Sequence, residues 1–273
     1  MEENKELLEV AKEIAKPAYS DLVHPIAEPT GKTLGLVPRA IKAALSPLEK
    51  WIMQKEFNIE AIRKLLEEKL KNTPEDLIDT PEPYVAVPAL QKISYCMDND
   101  ELRNMYANLL ATSMKRDTKN KAHPSFADAI SQMSPDEAKV LKYFKLKSKV
   151  PTVSLRFIKA SDSSGIDIYS NFSTIGELVK CDYPYDINKY FDNLVRLGML
   201  EKSYYSELTM PGIYDPLINH EIIKELEKRL HMYKDLDSVK INKGFMSLTD
   251  YGKAFCDCCI DSPVGIISIN TNS

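Results

Sequence analysis

Residues 102–130, LRNMYANLLATSMKRDTKNKAHPSFADAI, decide the fold, together with the flanking residues between Pro81 and Phe144. Their first part places apolar side chains three and four residues apart, the spacing of one helical face: Leu102, Met105, Tyr106, Leu109, Leu110 and Met114. Asp98 and Glu101 precede this face with the spacing of a capping pair. We therefore predict a helix that begins at this pair and ends near Arg116, before the polar loop 117–122.

Two further helices are predicted after that loop. Phe126 begins a second apolar stripe, and Ser134-Pro135-Asp136-Glu137 combines a capping box with proline at the first helical position. Upstream, a helix is predicted from about Val85 to Cys96, with Pro88 in its first turn. Short helices joined this closely can bury a common core, so the pattern indicates a helical bundle.

Several short motifs in this region resemble one family. They are Pro88-Ala89-Leu90, the helix from Glu101 to Ala111, His123-Pro124-Ser125-Phe126 and Ser134–Ala138. The upstream segment Tyr19–Leu48, with a proline, a Gly-Lys pair and a later Pro-Leu pair, also fits the family. Together they resemble the abortive-infection alpha (Abi-alpha) family of bacterial phage-defence proteins, over about the first half of the chain. The resemblance implies a role in antiviral defence in the bacterial cytoplasm, and it carries over no catalytic signature.

Composition narrows the class of protein. The chain has 273 residues, enough for two domains, and a net charge of −4. Residues 1–150 carry 23 basic and 23 acidic residues, which leaves 13 and 17 for residues 151–273 out of totals of 36 and 40. Neither half has the basic excess of a dedicated nucleic-acid binder. The acidic start MEENKELLEV is not a signal peptide, so we expect a reducing, cytoplasmic setting for the five cysteines.

The N-terminal segment offers two amphipathic stripes. Leu36–Trp51 has apolar residues at helical spacing opposite a few cations, and Ser46-Pro47 predicts two helices that meet at Ser46. We favour the interpretation in which this stripe packs into the core. In the alternative, the protein is a toxic effector that inserts the Leu36–Trp51 stripe at a membrane surface. Phe57–Leu70 is a second stripe, which could also pair with another copy of the chain.

The C-terminal part changes character after Lys149. Pro151–Lys159 alternates like a strand, Asp186–Leu197 is helical with Gly198 at its end, and Met199–Tyr205 is a strand. Residues 216–236 form an inserted amphipathic helix, and Val239–Leu248 is predicted to be a hairpin that turns at Lys243-Gly244. A helix follows from Leu248-Thr249. This order is similar to the winged-helix fold.

We therefore predict a mostly α protein with two separate cores. Residues 1–149 form a helical Abi-alpha-like domain, and residues 150–273 form a winged-helix-like α+β domain. The favoured function is non-enzymatic phage defence through protein–protein contacts, with a phage or host protein as partner. We predict no cofactor, metal or catalytic residue. The first alternative is a winged-helix regulator that binds nucleic acid, and the second is the membrane-surface effector.

Candidate nucleic-acid contacts lie in the winged-helix-like segment. The would-be recognition helix carries Lys189 and Arg196, and the predicted wing carries Lys240 and Lys243. Asp186 and Asp192 offset the two cations of the helix, and phosphates repel acids. We therefore expect this domain to contact protein rather than DNA.

The remaining candidates are polar residues of the helical half and one cysteine cluster. His123, Arg103, Asn108 and Ser125 are predicted to form a partner contact or a structural joint, with His123 capping a helix start. A catalytic alternative would pair His123 with Asp117, Asp128 or Arg103. Cys256, Cys258 and Cys259 have the residue type of a zinc site but lack a second pair, so burial in a helix is the favoured interpretation. Gly31-Lys32-Thr33 lacks the upstream glycine of a phosphate loop.

Overall fold

The computed structural model describes residues 36–52, 59–203 and 206–261. The helical half contains α1 (Leu36–Ile52), α2 (Ile59–Leu70), α3 (Pro83–Ile93), α4 (Asp100–Met114), α5 (Ser125–Ser131) and α6 (Pro135–Leu146). The second half contains β1 (Lys149–Ile158), β2 (Gly165–Phe172), α7 (Ile175–Leu178), α8 (Ile187–Arg196), β3 (Leu200–Lys202), α9 (Asp215–Ile218), α10 (Glu221–Glu227), β4 (Ser238–Leu248) and α11 (Asp250–Cys259). The fold is thus a mixture of helices and one antiparallel sheet. Gly31-Lys32-Thr33 lies outside the described residues.

The central helix α4 was predicted correctly, but its cap was not. Asn99 is the N-cap, and its Oδ1 accepts a hydrogen bond from the Leu102 N–H at 3.0 Å. The predicted Asp98–Glu101 capping pair is therefore wrong, and Glu101 instead forms an ion pair with Lys142 of α6. The cap shifts by one residue because an asparagine side chain reaches the first turn as well as an aspartate does.

Two predictions about prolines in helices need correction. Helix α3 begins at Pro83 rather than Val85 and ends at Ile93, so Pro88 lies in its interior and not in its first turn. Helix α1 runs through Ser46 without a break, and the two helices predicted to meet there are one. Tertiary packing overrides the local proline signal at both places.

Both N-terminal stripes face the chain's own core. Ile41, Ala44 and Leu45 of α1 are buried, and so are Ile62, Leu66 and Leu70 of α2. These three side chains of α1 pack within the protein, so this described part of the stripe is not available to a lipid surface in this conformation. The three side chains of α2 are likewise not available as a surface for self-association.

The four strands form an antiparallel sheet in the order β2-β1-β4-β3. Strand β1 was predicted, whereas β2 was missed. Strand β4 is continuous, so the hairpin turn predicted at Lys243-Gly244 is wrong. Gly244 lies opposite Thr152 within the ladder, and a Cβ there would lie 3.2 Å from the Ser203 carbonyl oxygen. This glycine accommodates a close backbone approach rather than a turn.

The pairing of β1 with β2 shifts register at two places, between Val153 and Leu155 and between Leu155 and Arg156. Val153 pairs with Phe172 and Leu155 pairs with Tyr169, so β2 carries one extra residue at this point. Asn171 absorbs the resulting bulge with a φ of +56°. Pro151 is tolerated in β1 because the β2 ladder begins only at Val153, which leaves its missing N–H without a required partner.

The insertion is not the single helix predicted for residues 216–236. It is divided into α9, α10 and a 3-10 segment at Lys228–Met232. His220 stops α9 and caps α10, because its Nδ1 accepts the N–H of Ile222 at 3.3 Å. A side-chain cap of this kind begins a new helix and ends the previous one.

The buried side chains do not separate at the predicted boundary between residues 149 and 150. The larger cluster extends from Ile41 to Ile260 and includes Phe144, Phe191 and Phe255 from the two halves. A smaller cluster lies on one face of the sheet and consists of Val153, Phe172, Tyr214, Leu217 and Ile223. One cluster is therefore shared by both halves, and the other belongs to the insertion and the sheet.

Candidate functional site

Asp136 lies at the start of α6 and connects the two halves of the chain. The predicted capping box is present, because Ser134 Oγ accepts the Glu137 N–H and Glu137 Oε2 accepts the Ser134 N–H. With these two residues capping the helix, Asp136 is free to turn inward, where it is only 4% exposed. The carboxylate therefore serves a tertiary contact instead of a cap.

Four donors surround the Asp136 carboxylate. Its Oδ1 accepts from the Asp182 N–H at 2.9 Å and from Lys139 Nζ at 2.9 Å. Its Oδ2 accepts from the Tyr183 N–H at 3.0 Å and from the Tyr190 hydroxyl at 2.9 Å. Both oxygens are thus fully used, and consecutive backbone amides of one loop are fixed to a helix from the other half of the chain.

The charge state of Asp136 follows from this arrangement. Burial opposes ionisation of the carboxyl group, but the hydrogen bonds from Asp182, Lys139, Tyr183 and Tyr190 outweigh it and lower the pKa to about 2. Burial, and then the hydrogen bond to the Asp136 carboxylate, raise the pKa of the Tyr190 hydroxyl. Asp136 is therefore an ionised anchor at neutral pH.

The loop held by Asp136 presents apolar and aromatic side chains to solvent. We call residues Leu178–Tyr185 the tyrosine loop. Leu178 is 63% exposed, Tyr183 is 69% exposed and Tyr185 is 47% exposed. Single exposed apolar residues are common on protein surfaces, but several large ones on one loop are typical of a contact surface.

The far side of the tyrosine loop is also held. Tyr185 donates to Glu177 Oε1 at 3.0 Å, and Tyr169 donates to the Tyr185 carbonyl at 2.6 Å. Gly176 permits a close approach of Pro184, whose carbonyl oxygen would lie 2.3 Å from a Cβ at that position. Lys180 adopts a φ of +55° to close the turn. The loop is fixed before any partner arrives.

Such a surface has the properties of a protein-binding site. Tyrosine offers a large apolar ring with one hydroxyl and few rotatable bonds, and it is enriched among the residues that dominate binding energy. A loop fixed in advance loses little conformational entropy on association. Among the described residues, no group of three or more His, Cys, Asp or Glu is placed to hold a metal ion.

His123 and Ser125 meet a residue from the other end of the chain. His123 Nδ1 accepts the Ser125 N–H at 3.2 Å, so Ser125 Oγ donates to Nδ1 at 2.6 Å and accepts from the Tyr251 hydroxyl at 2.6 Å. Phe126 packs edge-on against Tyr251 and Phe255. His123 thus accepts the first N–H of α5, whose N-cap is Pro124, and the Ser125–Tyr251 hydrogen bond links α5 to α11. A role of these residues in partner contact stays a prediction.

The catalytic alternative for His123 finds little support in its neighbours. Asp128 forms an ion pair with Lys92, and Arg103 forms one with Asp100. Arg103 also donates to the Met97 carbonyl at 2.5 Å, which fastens the loop before α4. The hydrogen bonds of His123 go to Ser125 and not to Asp117, Asp128 or Arg103, so the structure does not form the proposed acid–base pair.

Asn108 holds the C-terminal end of α11. Its Nδ2 donates to the Cys259 carbonyl at 3.1 Å, and Thr112 Oγ1 donates to the Cys258 carbonyl at 3.1 Å. Lys145 Nζ donates to the Cys256 carbonyl at 2.9 Å and to the Ile260 carbonyl at 2.5 Å. These donors satisfy carbonyls that a helix end leaves unpaired, and the lysine adds charge where the helix dipole is negative.

The three neighbouring cysteines are all buried in α11. Burial raises the pKa of Cys256 to about 12 and raises that of Cys259 as well, whereas a hydrogen bond with Cys259 lowers the pKa of Cys258. Cys256, Cys258 and Cys259 therefore lie in the protein interior, which is the environment that the sequence favours for them.

The four candidate nucleic-acid contacts are not brought together. Lys189 pairs with Asp186 at 2.8 Å, and Arg196 donates to Gln132 Oε1 at 2.9 Å, both on or beside α8. Lys240 and Lys243 lie on β4, where the Lys243 ammonium is 5.4 Å from the Tyr214 ring centroid. The two pairs lie on different elements, and the α8 pair is already engaged within the protein.

A groove of about 560 Å³ lies at the sheet. Its lining is mostly polar and consists of Thr152, Ser154, Arg156, Asp167, Ser170, Lys202, Ser203, Glu207 and Ile241–Gly244. Arg156 donates to Asp167 Oδ1 at 2.9 Å and to the Gly165 carbonyl at 2.9 Å. The groove is large enough for a small molecule or for part of a peptide.

Sequence reasoning missed the Asp136 anchor and the tyrosine loop. Asp136 was assigned only to a capping box, and three of its four partners, Asp182, Tyr183 and Tyr190, lie more than forty residues further along the chain. The signal available in the sequence was Tyr183-Pro184-Tyr185, an aromatic pair around a proline in a short connection. No described helix is both long and apolar enough to cross a membrane.

The model of a family described as "Abortive infection alpha" matches residues 54–259, and this match confirms the resemblance noted in the helical segment. A solved structure of an uncharacterized protein from the hydrocarbon-degrading marine bacterium Alcanivorax borkumensis SK2 is similar at 16% identity and a TM-score of 0.36. That similarity covers 49% of this chain and 90% of the other. No curated protein matches the sequence.

Proposed function

The chain belongs to the Abortive infection alpha family, and on that premise we propose that it acts in abortive infection by binding a protein, not by catalysis. The observation that carries the proposal is the tyrosine loop, whose exposed side chains are fixed by the buried Asp136 carboxylate. A surface that is both aromatic and fixed in advance is suited to one specific partner.

We also propose that the second half is a modified winged helix. Helix α6, strand β1, helices α7 and α8, and strands β3 and β4 follow in the order that such a fold requires, and β4 lies between β1 and β3. In this interpretation the wing is the connection between β3 and β4 that contains α9 and α10. The tyrosine loop is then the turn between the second and third helices, a position that suits contact with a partner.

Protein rather than nucleic acid is the proposed partner of this module. Helix α8 would be the recognition helix, but Lys189 is paired with Asp186, and Arg196 is bonded to Gln132 and Asn193. Asp192 is exposed on the same helix and would repel phosphates. A gel-shift titration at low salt tests this choice, since a strongly salt-dependent DNA affinity would favour the regulator instead.

The main test is phage protection by cells that express the protein. We expect Tyr183→Ala to reduce the efficiency of protection and to abolish capture of the partner from infected cells, without a change in thermal stability. Tyr84→Ala is the matched control, because Tyr84 is 62% exposed but lies on α3. Full protection by a Tyr183→Ala/Tyr185→Ala variant would refute the proposal.

A further inference from the structure

Strand β4 is much longer than the strand on its outer side. It pairs with β1 from Ser238 to Ser247, whereas β3 covers only Met246–Leu248. One more hydrogen bond joins the Ser203 N–H to the Phe245 carbonyl at 2.9 Å. Within the described parts of the chain, β4 therefore has a neighbouring strand on one side only between Ser238 and Gly244.

The backbone groups on this edge point outward at alternate residues. Because the Phe245 carbonyl faces β3, the alternation of an antiparallel ladder directs the N–H and C=O groups of Lys243 and Ile241 to the same side. Gly244 faces β1, and its carbonyl also accepts from the Tyr214 hydroxyl at 2.9 Å. Ile241 and Lys243 thus offer two donors and two acceptors, about 7 Å apart along the edge.

The described residues after β3 do not continue its pairing along this edge. Ser203 Oγ donates to the Ser206 carbonyl at 2.8 Å, so Ser206 lies beside Ser203 instead of further along β4. The insertion that follows packs Tyr214, Leu217 and Ile223 against one face of the sheet rather than against the edge. The groove described above borders the edge, with Ile241–Gly244 on one side and Lys202, Ser203 and Glu207 among its other lining residues.

The charges around the edge indicate its occupant. Lys240 and Lys243 are exposed residues of this edge whose side chains lie on opposite faces of the sheet, and Glu207 lines the groove beside it. The nearby Arg156 is already paired with Asp167. The whole chain has a net charge of −4, so this basic edge departs from the average of the protein. Two copies joined edge to edge would bring lysines together, which disfavours self-association here. An acidic strand from another protein would complement both the charges and the backbone groups.

We propose that the open edge of β4, residues 239–243, binds an extended acidic segment of a partner protein as a fifth strand of the sheet. This inference rests on the proposed protein-binding function and names the kind of segment that is bound. Main-chain hydrogen bonds to Ile241 and Lys243 provide affinity, and the lysines provide the preference for acids.

The test uses the full chain and a fluorescent ten-residue peptide of alternating Glu and Val. We expect anisotropy to rise with the acidic peptide and not with a peptide in which Lys replaces Glu. A peptide N-methylated at alternate residues removes backbone donors without any change in the protein, and it should bind about fivefold more weakly for each hydrogen bond lost. Lys243→Glu should weaken binding by a similar factor, whereas the matched change Lys253→Glu on α11 should not.

Several results would overturn the inference. They are absence of acidic-peptide binding to the folded wild type, equal binding of the N-methylated peptide, and equal binding by Lys243→Glu. Binding of a DNA 12-mer in place of the peptide, with loss in Lys243→Glu, would assign the edge to nucleic acid. The two hypotheses can fail separately. If Tyr183→Ala loses protection but the wild type does not bind the acidic peptide, the tyrosine loop remains the proposed protein-binding site, and only the proposal for the β4 edge is rejected.

Discussion

Replacing Asp136 with Asn tests the anchor between the two halves with a change of few atoms. The shape of the side chain is kept, but one acceptor oxygen becomes an NH₂ group. Whichever oxygen is replaced, two of the four donors around Asp136 then face another donor, and Lys139 loses its buried counter-charge. The Asp182–Tyr183 backbone should be released as a consequence.

The expected loss of unfolding free energy at pH 7 is about 2 to 3 kcal/mol, the cost of removing charge-assisted hydrogen bonds at a buried site. The pKa of Asp136 gives a second figure from the same contacts. A shift from 3.8 to about 2 corresponds to about 2 kcal/mol of stabilisation by the ionised form. The two figures agree in size.

The pH dependence has a definite sign. The folded state lowers the pKa of Asp136, so its contribution is complete above about pH 4 and is lost as the pH falls toward about 2. Urea unfolding of the wild type at pH 7, 5, 4 and 3 should include this decline, and Asp136→Asn should lack that part of it. Asp192→Asn, at an exposed position of α8, is the control and should resemble the wild type.

The reasoning would be refuted by an Asp136→Asn variant within about 0.5 kcal/mol of the wild type at pH 7, the range of an ordinary surface substitution. It would also be refuted if the variant and the wild type lost stability in parallel below pH 4. A functional readout accompanies the stability measurement, because release of the tyrosine loop should reduce phage protection as Tyr183→Ala does.

Three further predictions concern α11 and can be tested by urea unfolding or by labelling. Lys145→Met should lower the unfolding free energy by about 1 to 2 kcal/mol, because the Cys256 and Ile260 carbonyls lose the hydrogen bonds from the lysine ammonium. An unchanged urea midpoint would contradict this. Gly252→Ala should lower the unfolding free energy by more than about 2 kcal/mol, because the new Cβ would lie 2.0 Å from the Met199 carbonyl oxygen. The control Ala254→Gly in the same helix should cost about 1 kcal/mol. Cys256 and Cys259 should resist iodoacetamide at pH 8 until urea unfolds the protein, because burial raises the pKa of both thiols; mass spectrometry of the labelled peptides would reveal early modification.

The elements that sequence predicted well have strong local signals. Helix α4 has an uninterrupted 3.6-residue stripe, α6 has a complete capping box, and α8 is followed by Gly198 with a φ of +73°. Helix α11 follows Thr249, whose side chain accepts the Gly252 N–H at 2.8 Å. In each case the residues that define the element lie within one or two turns of each other, so periodicity and caps suffice.

The elements that sequence missed depend on distant partners. Strand β2 was overlooked because the bulge at Asn171 breaks the alternation between Tyr169 and Phe172. Gly244 indicated a turn, yet it serves an approach by Ser203 that only the folded sheet creates. The role of Asn108 as a cap for α11 involves a separation of 151 residues, which no local pattern encodes.

The capping of α11 by α4 and α6 has a consequence for biosynthesis. A ribosome must add the 146 residues from Lys115 to Ile260 after completing α4, which takes on the order of ten seconds at ordinary elongation rates. Until then the nascent bundle lacks Phe255 and its neighbours, so a large part of its interior stays open. Truncated translation products should therefore fail to close this core, and quality-control proteases would recognise them as incomplete.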